Sequence, residues 1–510
     1  MATETSDDHS KTSDSDSRGP RHNGDGDGNE ENPLHRLTAE QLEAIAKEFD
    51  QLHDQVFDDL GDRDATYIRS IIALQRRLVL MGRVVLFGSR YRPAWAAGTT
   101  LLGMAKILEN MEIGHNIMHG QWDWMNDPVI NSSAWDWDSA STAEAWKHSH
   151  NFVHHTFTNI RGKDRDLGYE IMRIDTHQKW NPVYLAQPIY NLILAGLFEW
   201  GVALHDLDFD AIKAGEKSKA QLKRELKGIV VKGRAQITKD YIAWPVLSGL
   251  VNTGIDLALA AAGVDINQTL PWKTPEPEPR RRLRRLKATA QVTAKALVAG
   301  VDLNPALPWQ KREPEPRRRL RRRTAKAQRK TVGGRATVLQ QLIERKSFRE
   351  PFKATLKADV TANLIRNVWS YAIIFCGHFP DQTYTFTQAE TEDESRGERY
   401  VRQLLGAANI EGSALFHVIS GNLGYQVEHH LYPDMPSTRY GEIAPRVRQL
   451  CEEYELPYNT GPFFRQLGMV QRTILRLAFP GGKPRPRPGP YHGAKIKGSG
   501  EHDTLLEDAA

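Results

Sequence analysis

The sequence predicts an all-α integral membrane protein, with about four transmembrane helices capped by a cytoplasmic helical domain that carries a histidine-rich metal site. Three observations lead there. Mostly apolar stretches recur near residues 71–88, 94–113, 183–204, 241–262 and 360–377. The chain has 18 histidines in 510 residues, and many of them stand in three tight groups. Polar, low-complexity sequence is confined to the two ends and one internal insert. It pulls the mean hydropathy down to -0.53, an average that says nothing about local segments.

Residues 1–35 are rich in Ser, Asp, Gly, Glu and Asn, cannot bury enough apolar surface to fold, and read as a disordered tail. No basic region followed by an apolar run opens the chain, so no cleavable secretory signal is expected and the active domain is expected to face the cytoplasm. Cys376 and Cys451 are far apart, offer no disulfide framework and suit a reducing compartment. Residues 36–262 are the first part of the folded domain. There Thr38 and Gln41 have capping-box spacing ahead of an amphipathic run to residue 60, a soluble helix. Arg76, Arg77 and Arg83 interrupt the stretch 71–88, and Lys106, Glu109 and Glu112 end the apolar part of 94–113. Neither is a clean span of about 20 apolar residues, and charges within such helices should face the bundle interior.

His115 and His119 follow at i and i+4, on one helix face. Glu112 shares that face and reads either as a partner that orients an imidazole or as a carboxylate paired with Lys106. Trp122, Trp124, Trp135 and Trp137 crowd just beyond, as tryptophans do at a membrane–water interface. His150 and His154 repeat the i, i+4 pair, and His155 adds a donor able to reach a second ion. His148 lacks such a partner and reads as exposed or supporting, unless it takes the place of His150.

The second and third histidine groups must meet on one side of the membrane, so an even number of crossings separates them. One of the three remaining apolar stretches therefore cannot span. Residues 206–239 are rich in Lys and Arg and favour the cytoplasm, which makes Val183 to Leu204 interfacial or re-entrant and leaves 241–262 and 360–377 as a transmembrane hairpin. The competing topology turns Val183 to Leu204 into a span and moves the insert inside. That insert, 263–355, contains a duplication of period 37: the run Glu276 to Arg285 recurs unchanged as Glu313 to Arg322. It reads as a solvated linker, or as an Arg-rich stretch for anionic lipid or nucleic acid.

The second part of the folded domain, 356–478, holds His378 just past an apolar stretch, a lone histidine by spacing. It then holds the third group, His429 and His430, with Gln426 four residues before His430. Asn422, one turn before Gln426, reads as a supporting hydrogen-bonder or as a helix start. Residues 436–468 read as a soluble amphipathic helix with its cap, and 479–510 as a second disordered tail.

A single histidine pair at this spacing is ordinarily surface or core; three groups in one chain point to metal. Seven histidines exceed the needs of one ion and fit a dinuclear centre, which favours iron over zinc. The zinc-protease pattern His-Glu-x-x-His is absent. Soluble di-iron bundles need two Glu-x-x-His pairs, and only Glu112 with His115 has that spacing.

The strings Glu109 to Asp127, His150 to Asn159, Phe375 to Pro380 and Ser420 to Pro433 resemble those of the membrane-bound fatty acid desaturases, and most of all the actinobacterial acyl-CoA desaturases of stearoyl type. The resemblance covers residues 35–260 and 355–480. It implies a di-iron centre held by His115, His119, His150, His154, His155, His378, His429 and His430. Gln426 stands where some family members carry another histidine, and its oxygen would bind metal directly, through water or not at all. Glu112 and Asn422 would support the ligands.

The resemblance further implies O2 as co-substrate, a long-chain acyl-CoA desaturated at carbons 9,10, and a multi-pass plasma-membrane location. Related sequences act nearer the carboxyl end of unsaturated chains such as linoleoyl-CoA. No flavin or nicotinamide fingerprint, iron–sulfur cysteine set or cytochrome b5-type His-Pro-Gly-Gly segment is present, so no bound flavin or NAD is expected. A separate NADPH-dependent reductase or ferredoxin would supply electrons. Membrane lipid is an expected partner and nucleic acid is not. Two rival readings are a histidine-box hydroxylase, separable by product, and a scaffold that binds lipid or nucleic acid through the Arg-rich insert.

Overall fold

The computed structural model describes residues 32–263, 345–381, 383–481 and 489–491. Most of the expected tails and insert lies outside these residues. Where their edges are described, they belong to the fold. Pro33–Arg36 forms a turn that buries Leu34. A helix begins at Lys346, inside the stretch read as insert. The Tyr491 amide donates to the Leu456 carbonyl at 3.0 Å.

The principal helices are α1 (Ala39–Asp58), α2 (Asp62–Leu86), α3 (Arg92–Leu108), α4 (Gln187–Gly196), α5 (Phe198–His205) and α6 (Lys219–Gln236). They continue with α7 (Trp244–Ala261), α8 (Lys346–His378), α9 (Arg396–Leu405), α10 (Gln426–Leu431), α11 (Tyr440–Glu453) and α12 (Phe463–Leu477). Strands β1 (Asn409–Glu411) and β2 (Thr460–Pro462) pair in parallel. The chain is thus mostly helical. Among the described residues one helix, the continuous 43-residue run Lys219–Ala261, is long and apolar enough to cross a membrane.

Helices α2, α3, α7 and α8 pack side by side. A Cβ on Gly82 would stand 2.9 Å from Leu102 Cγ, and one on Gly98 2.7 Å from Leu86 Cγ, so these two glycines let α2 and α3 approach closely. The charges that interrupt these helices turn inward, as expected. Arg83 meets Asp240 at 3.0 Å and also pairs with Asp359, while Lys106 reaches Asp240 at 2.7 Å. The outward faces carry Leu80, Met81, Leu250, Leu257, Val360 and Leu364, all exposed. A polar interior under an apolar exterior is the reverse of a water-soluble bundle.

Three expectations need correction. The Lys/Arg-rich 206–239 is largely the helix α6, which runs into α7 without a break, and is no loop. The stretch 436–468 is two helices rather than one: Glu455 has a left-handed φ of 53°, and Pro457 and β2 follow before α12 begins. Trp122 and Trp137 are buried rather than placed at an interface. Trp122 packs among Ile68, Ile72, Ile113 and Ile117, and Trp137 against Trp146.

Val183 to Leu204 forms a short turn, then α4 and α5, broken at Leu197. The 10 residues of α4 reach only about 15 Å. The capping box at Thr38 forms, with Thr38 Oγ1 accepting from the Gln41 amide at 3.2 Å. Helix α1 then lays Ile45 and Phe49 into a core shared with α9, α10 and α11.

Candidate metal centre

The first two histidine groups sit on helical segments with locally altered winding, and the third on a short α-helix. The run Glu109–His115 continues α3 as a π-helical turn, and the second group occupies a π-helical turn at Lys147–His154. Such i→i+5 turns recur at functional sites because they re-aim side chains without ending the helix. His115 and His119 bring their rings to 4.5 Å, and His150 and His154 stack at 5.1 Å. The third group lies on α10. It is fixed from behind by Glu428, which accepts hydrogen bonds from Asn409 at 2.8 Å and Tyr458 at 2.7 Å.

These segments converge. His115, His119, His150 and His429 place ring nitrogens within 4.8 Å of one another, and so do His154, His378 and His430. His155 stands between the two sets, its ring 4.7 Å from His119, 4.9 Å from His429 and 4.6 Å from His430. Two donors on opposite sides of one ion stand about 4 Å apart when each bond is about 2 Å, so both sets have the right scale.

The outer ring nitrogens are held by protein acceptors. His154 Nδ1–H donates to Asp164 at 3.1 Å and His150 Nδ1–H to Asp166 at 3.3 Å. His430 Nδ1–H donates to Gln403 Oε1 at 3.1 Å and His115 Nδ1–H to Asn116 Oδ1 at 3.0 Å. His429 Nδ1–H donates to the Tyr440 hydroxyl at 3.1 Å, while that hydroxyl donates to the Tyr432 carbonyl. The other side of the cluster is different. His119, His150, His154 and His429 each bury an Nε2 with no protein partner, and His155 buries both nitrogens so. A ring with one nitrogen tied to a carboxylate or amide and the other left bare in the interior is what a metal-binding imidazole requires. The donor set fits a pair of ions.

Charge points the same way. Burial and the neighbouring imidazoles hold His155, His429 and His430 well below the ordinary histidine range, in the neutral form a metal needs. Burial also acts against protonation of His154, but Asp164 and Asp166 outweigh it and raise that pKa. Burial would lift Asp166, yet His154, His150 and His205 keep it well below the usual carboxylate range.

The remaining candidates sit at the edges. Gln426 Nε2 is 3.1 Å from His378 Nε2, and its Oε1 is buried without a partner, so turning the amide over aims the oxygen at the cluster. Glu112 touches no imidazole directly. It accepts from Tyr67 at 2.8 Å, Ser437 at 3.1 Å, Asn422 at 3.1 Å and Asn116 at 3.3 Å, reaching His115 through Asn116. Lys106 pairs with Asp240, not with Glu112. Asn422 has a left-handed φ of 55° at the entry to the third group, so it both starts that turn and bonds Glu112. His148 is exposed and stacks on Phe152, away from the cluster.

Sequence reasoning missed Asp164, Asp166, Gln403, Tyr440 and Trp146. Trp146 stacks on His150 at 4.6 Å and walls one side of the site. The two aspartates carried a readable signal, a pair of acidic residues in the loop directly after the second group.

Fold and site together define a class: a helical protein whose interior holds a polyhistidine site suited to two metal ions. A family model described as fatty acid desaturase matches residues 93–267 and 354–462, more than half of the chain. The chain belongs to the fatty acid desaturase family, a family of oxidoreductases. It is 38% identical over 444 residues, 87% of this chain and 82% of the relative, to an NADPH-dependent stearoyl-CoA 9-desaturase of Mycobacterium tuberculosis. Human fatty acid desaturase 3 is 30% identical over 117 residues, 23% of this chain and 24% of that protein. No solved structure matches the chain.

Proposed function

We propose that this chain introduces a cis double bond into a long-chain acyl group carried on CoA, with carbons 9,10 of stearoyl-CoA the first position to examine. The observation that carries the reading is 38% identity, across 87% of the chain, to a stearoyl-CoA 9-desaturase. The overall reaction turns a saturated CH2–CH2 pair and O2 into an alkene and two waters, with two electrons and two protons supplied from outside.

Two iron ions would be held by His115, His119, His150 and His429 on one side and by His154, His378 and His430 on the other, with His155 between. When bound, the iron pair supplies O2 activation and the oxidising power to remove two hydrogens from neighbouring methylenes. The protein's own part is positioning. Asp164, Asp166, Gln403, Asn116 and Tyr440 fix ring orientation and tautomer. Burial keeps water out and keeps most of the imidazoles neutral, and Trp146 seals the cluster beside His150. Gln426 stands ready as a further oxygen donor, with Glu112 and Asn422 bracing the helices that carry His115 and the third group.

In this reading α2, α3, α7 and α8 are four spans of a plasma-membrane protein, α4 and α5 lie in the interface, and the other helices form a cytoplasmic cap. The apolar outer faces of α2, α7 and α8 and the shortness of α4 support that arrangement. The family-matched stretches 93–267 and 354–462 flank the duplicated 263–355, which supports its reading as an insert. Electrons would arrive from a separate flavin and iron–sulfur reductase or a ferredoxin, and no role for nucleic acid is proposed.

The test is product analysis after incubation of purified protein with stearoyl-CoA, O2 and a reductase system. A mono-unsaturated C18 product with the double bond at 9,10 is expected. A hydroxylated product would overturn the desaturase reading, and turnover of linoleoyl-CoA alone would move the position.

A further inference from the structure

Helix α12 carries two faces. Met469, Val470, Ile474 and Leu477 are buried against the body of the protein. The opposite face exposes Phe464 at 83%, Leu475 at 54% and, just past the helix end, Phe479 at 54%. With Gly468 these positions fall at i, i+4, i+11 and i+15, one stripe along the helix. Arg465 and Arg476 lie along one edge of that stripe, and Arg472 between them pairs with Asp381. A phenylalanine so exposed beside arginines is costly in water and ordinary at a bilayer surface.

The position of α12 says what covers it. Trp369, on α8, packs against Phe463 of α12 with ring centroids 5.9 Å apart and against Phe416 at 5.8 Å. Its Nε1–H donates to the Ile419 carbonyl at 2.7 Å. The short helix Ala414–Ile419 thus sits at the same level, and it exposes Leu415. Along α8 the exposed apolar surface of Val360, Leu364, Ile365 and Val368 rises to the residue before Trp369. His378 lies nine residues further on, roughly 14 Å higher along the helix. The Phe464 end of the stripe therefore continues the apolar surface of the long helices at the level where it gives way to the cap, while further along α12 Arg472 and Thr473 bond Asp381, just past His378.

We infer that the N-terminal end of α12 and the helix Ala414–Ile419 lie on the bilayer, with Phe464 and Leu415 entering the headgroup boundary and Arg465 facing anionic lipid phosphates. This rests on the membrane-spanning reading of α2, α3, α7 and α8 given above. It adds a second lipid contact for the cap, beyond α4 and α5, and so fixes the height of the histidine cluster above the acyl chains.

The test uses full-length protein in nanodiscs containing phosphatidylglycerol, with a fluorophore on single introduced cysteines; native Cys376 and Cys451 are buried. Probes go at Phe464→Cys and, should that variant fail to fold, Leu415→Cys, with Leu250→Cys on the outer face of α7 and Glu452→Cys on α11 as references. Headgroup-proximal doxyl lipid is expected to quench the 464 or 415 probe at least threefold more than the 452 probe. Quenching at 250 with a 464 probe open to aqueous iodide would overturn the inference and leave the spans standing. No lipid quenching at 250 would remove the span reading and the inference with it. A 464 probe shielded from both quenchers would show another protein surface there, a second copy or an undescribed segment of this chain, and would also overturn it.

Discussion

Two buried polar clusters share the helices α3 and α8, and they are built on opposite plans. Among the long helices, Arg83 and Lys106 meet Asp240 and Asp359, two cations against two anions, each paired with an opposite charge. Higher up, the histidine cluster is tied down only on its outer side and leaves bare nitrogens facing inward. The first arrangement is closed in charge, although Arg83 Nε and Asp359 Oδ2 lack a partner; the second is open and costs free energy until something fills it. The difference separates a cluster that holds the bundle together from one that awaits a ligand.

The largest effects should come from crossing that divide. Replacing His429 by Ala removes a donor from the open cluster, so iron content should fall and product formation should drop beyond the about 10- to 100-fold typical of a supporting residue, while folding is retained. Iron analysis and turnover of the same preparation check this. Replacing Asp240 by Ala opens the closed cluster, leaving Arg83 with Asp359 alone and Lys106 with Asp138 at 3.7 Å. It should destabilise the protein by about 3–5 kcal/mol, seen as a lower Tm in detergent, with iron per folded chain unchanged. If Asp240→Ala instead lost iron and kept its Tm, the two clusters would not be separable in this way.

A smaller effect should follow at the rim of the open cluster. Asp164→Asn keeps the size of the side chain but weakens its hold on His154 Nδ1–H, and iron affinity should fall about 10- to 100-fold in competition with a chelator. Smaller still is Asp206, a buried carboxylate which accepts from the Ser141 and Ser149 hydroxyls and has no lysine or arginine ion-pair partner among the described residues. Burial pushes its pKa up to about 6. An acid raised in the folded state stabilises most below its unfolded pKa of about 4, and that advantage is lost as pH rises through about 6. The Tm difference between the natural chain and Asp206→Asn should therefore shift in favour of the natural chain on going from pH 7 to pH 4.

How much of this was legible in the sequence follows from how local each contact is. The helix-spaced pairs His115 with His119 and His150 with His154 are written within one turn, and the capping box at Thr38 within three residues. The inward turn of Arg83 and Lys106 followed from the cost of charge among apolar helices. His378 carried no spacing signal and entered only through family resemblance; its closeness to His430 spans 52 residues. Gln403 and Tyr440 support the third group across a folded distance that no periodicity encodes. Trp122 and Trp137 misled because an interfacial belt and an aromatic core have the same composition. Residues 206–239 misled because a charged, amphipathic helix that leads into one long and apolar enough to cross a membrane reads like a loop.

The most direct test of the central account is the iron stoichiometry of the purified, folded full-length protein. Two irons per chain are expected, falling in the variants that remove a cluster histidine and not in Asp240→Ala. A folded, monodisperse preparation that binds no iron when reconstituted anaerobically with ferrous salt would contradict the account, because the bare nitrogens of the cluster would then have no metal to serve.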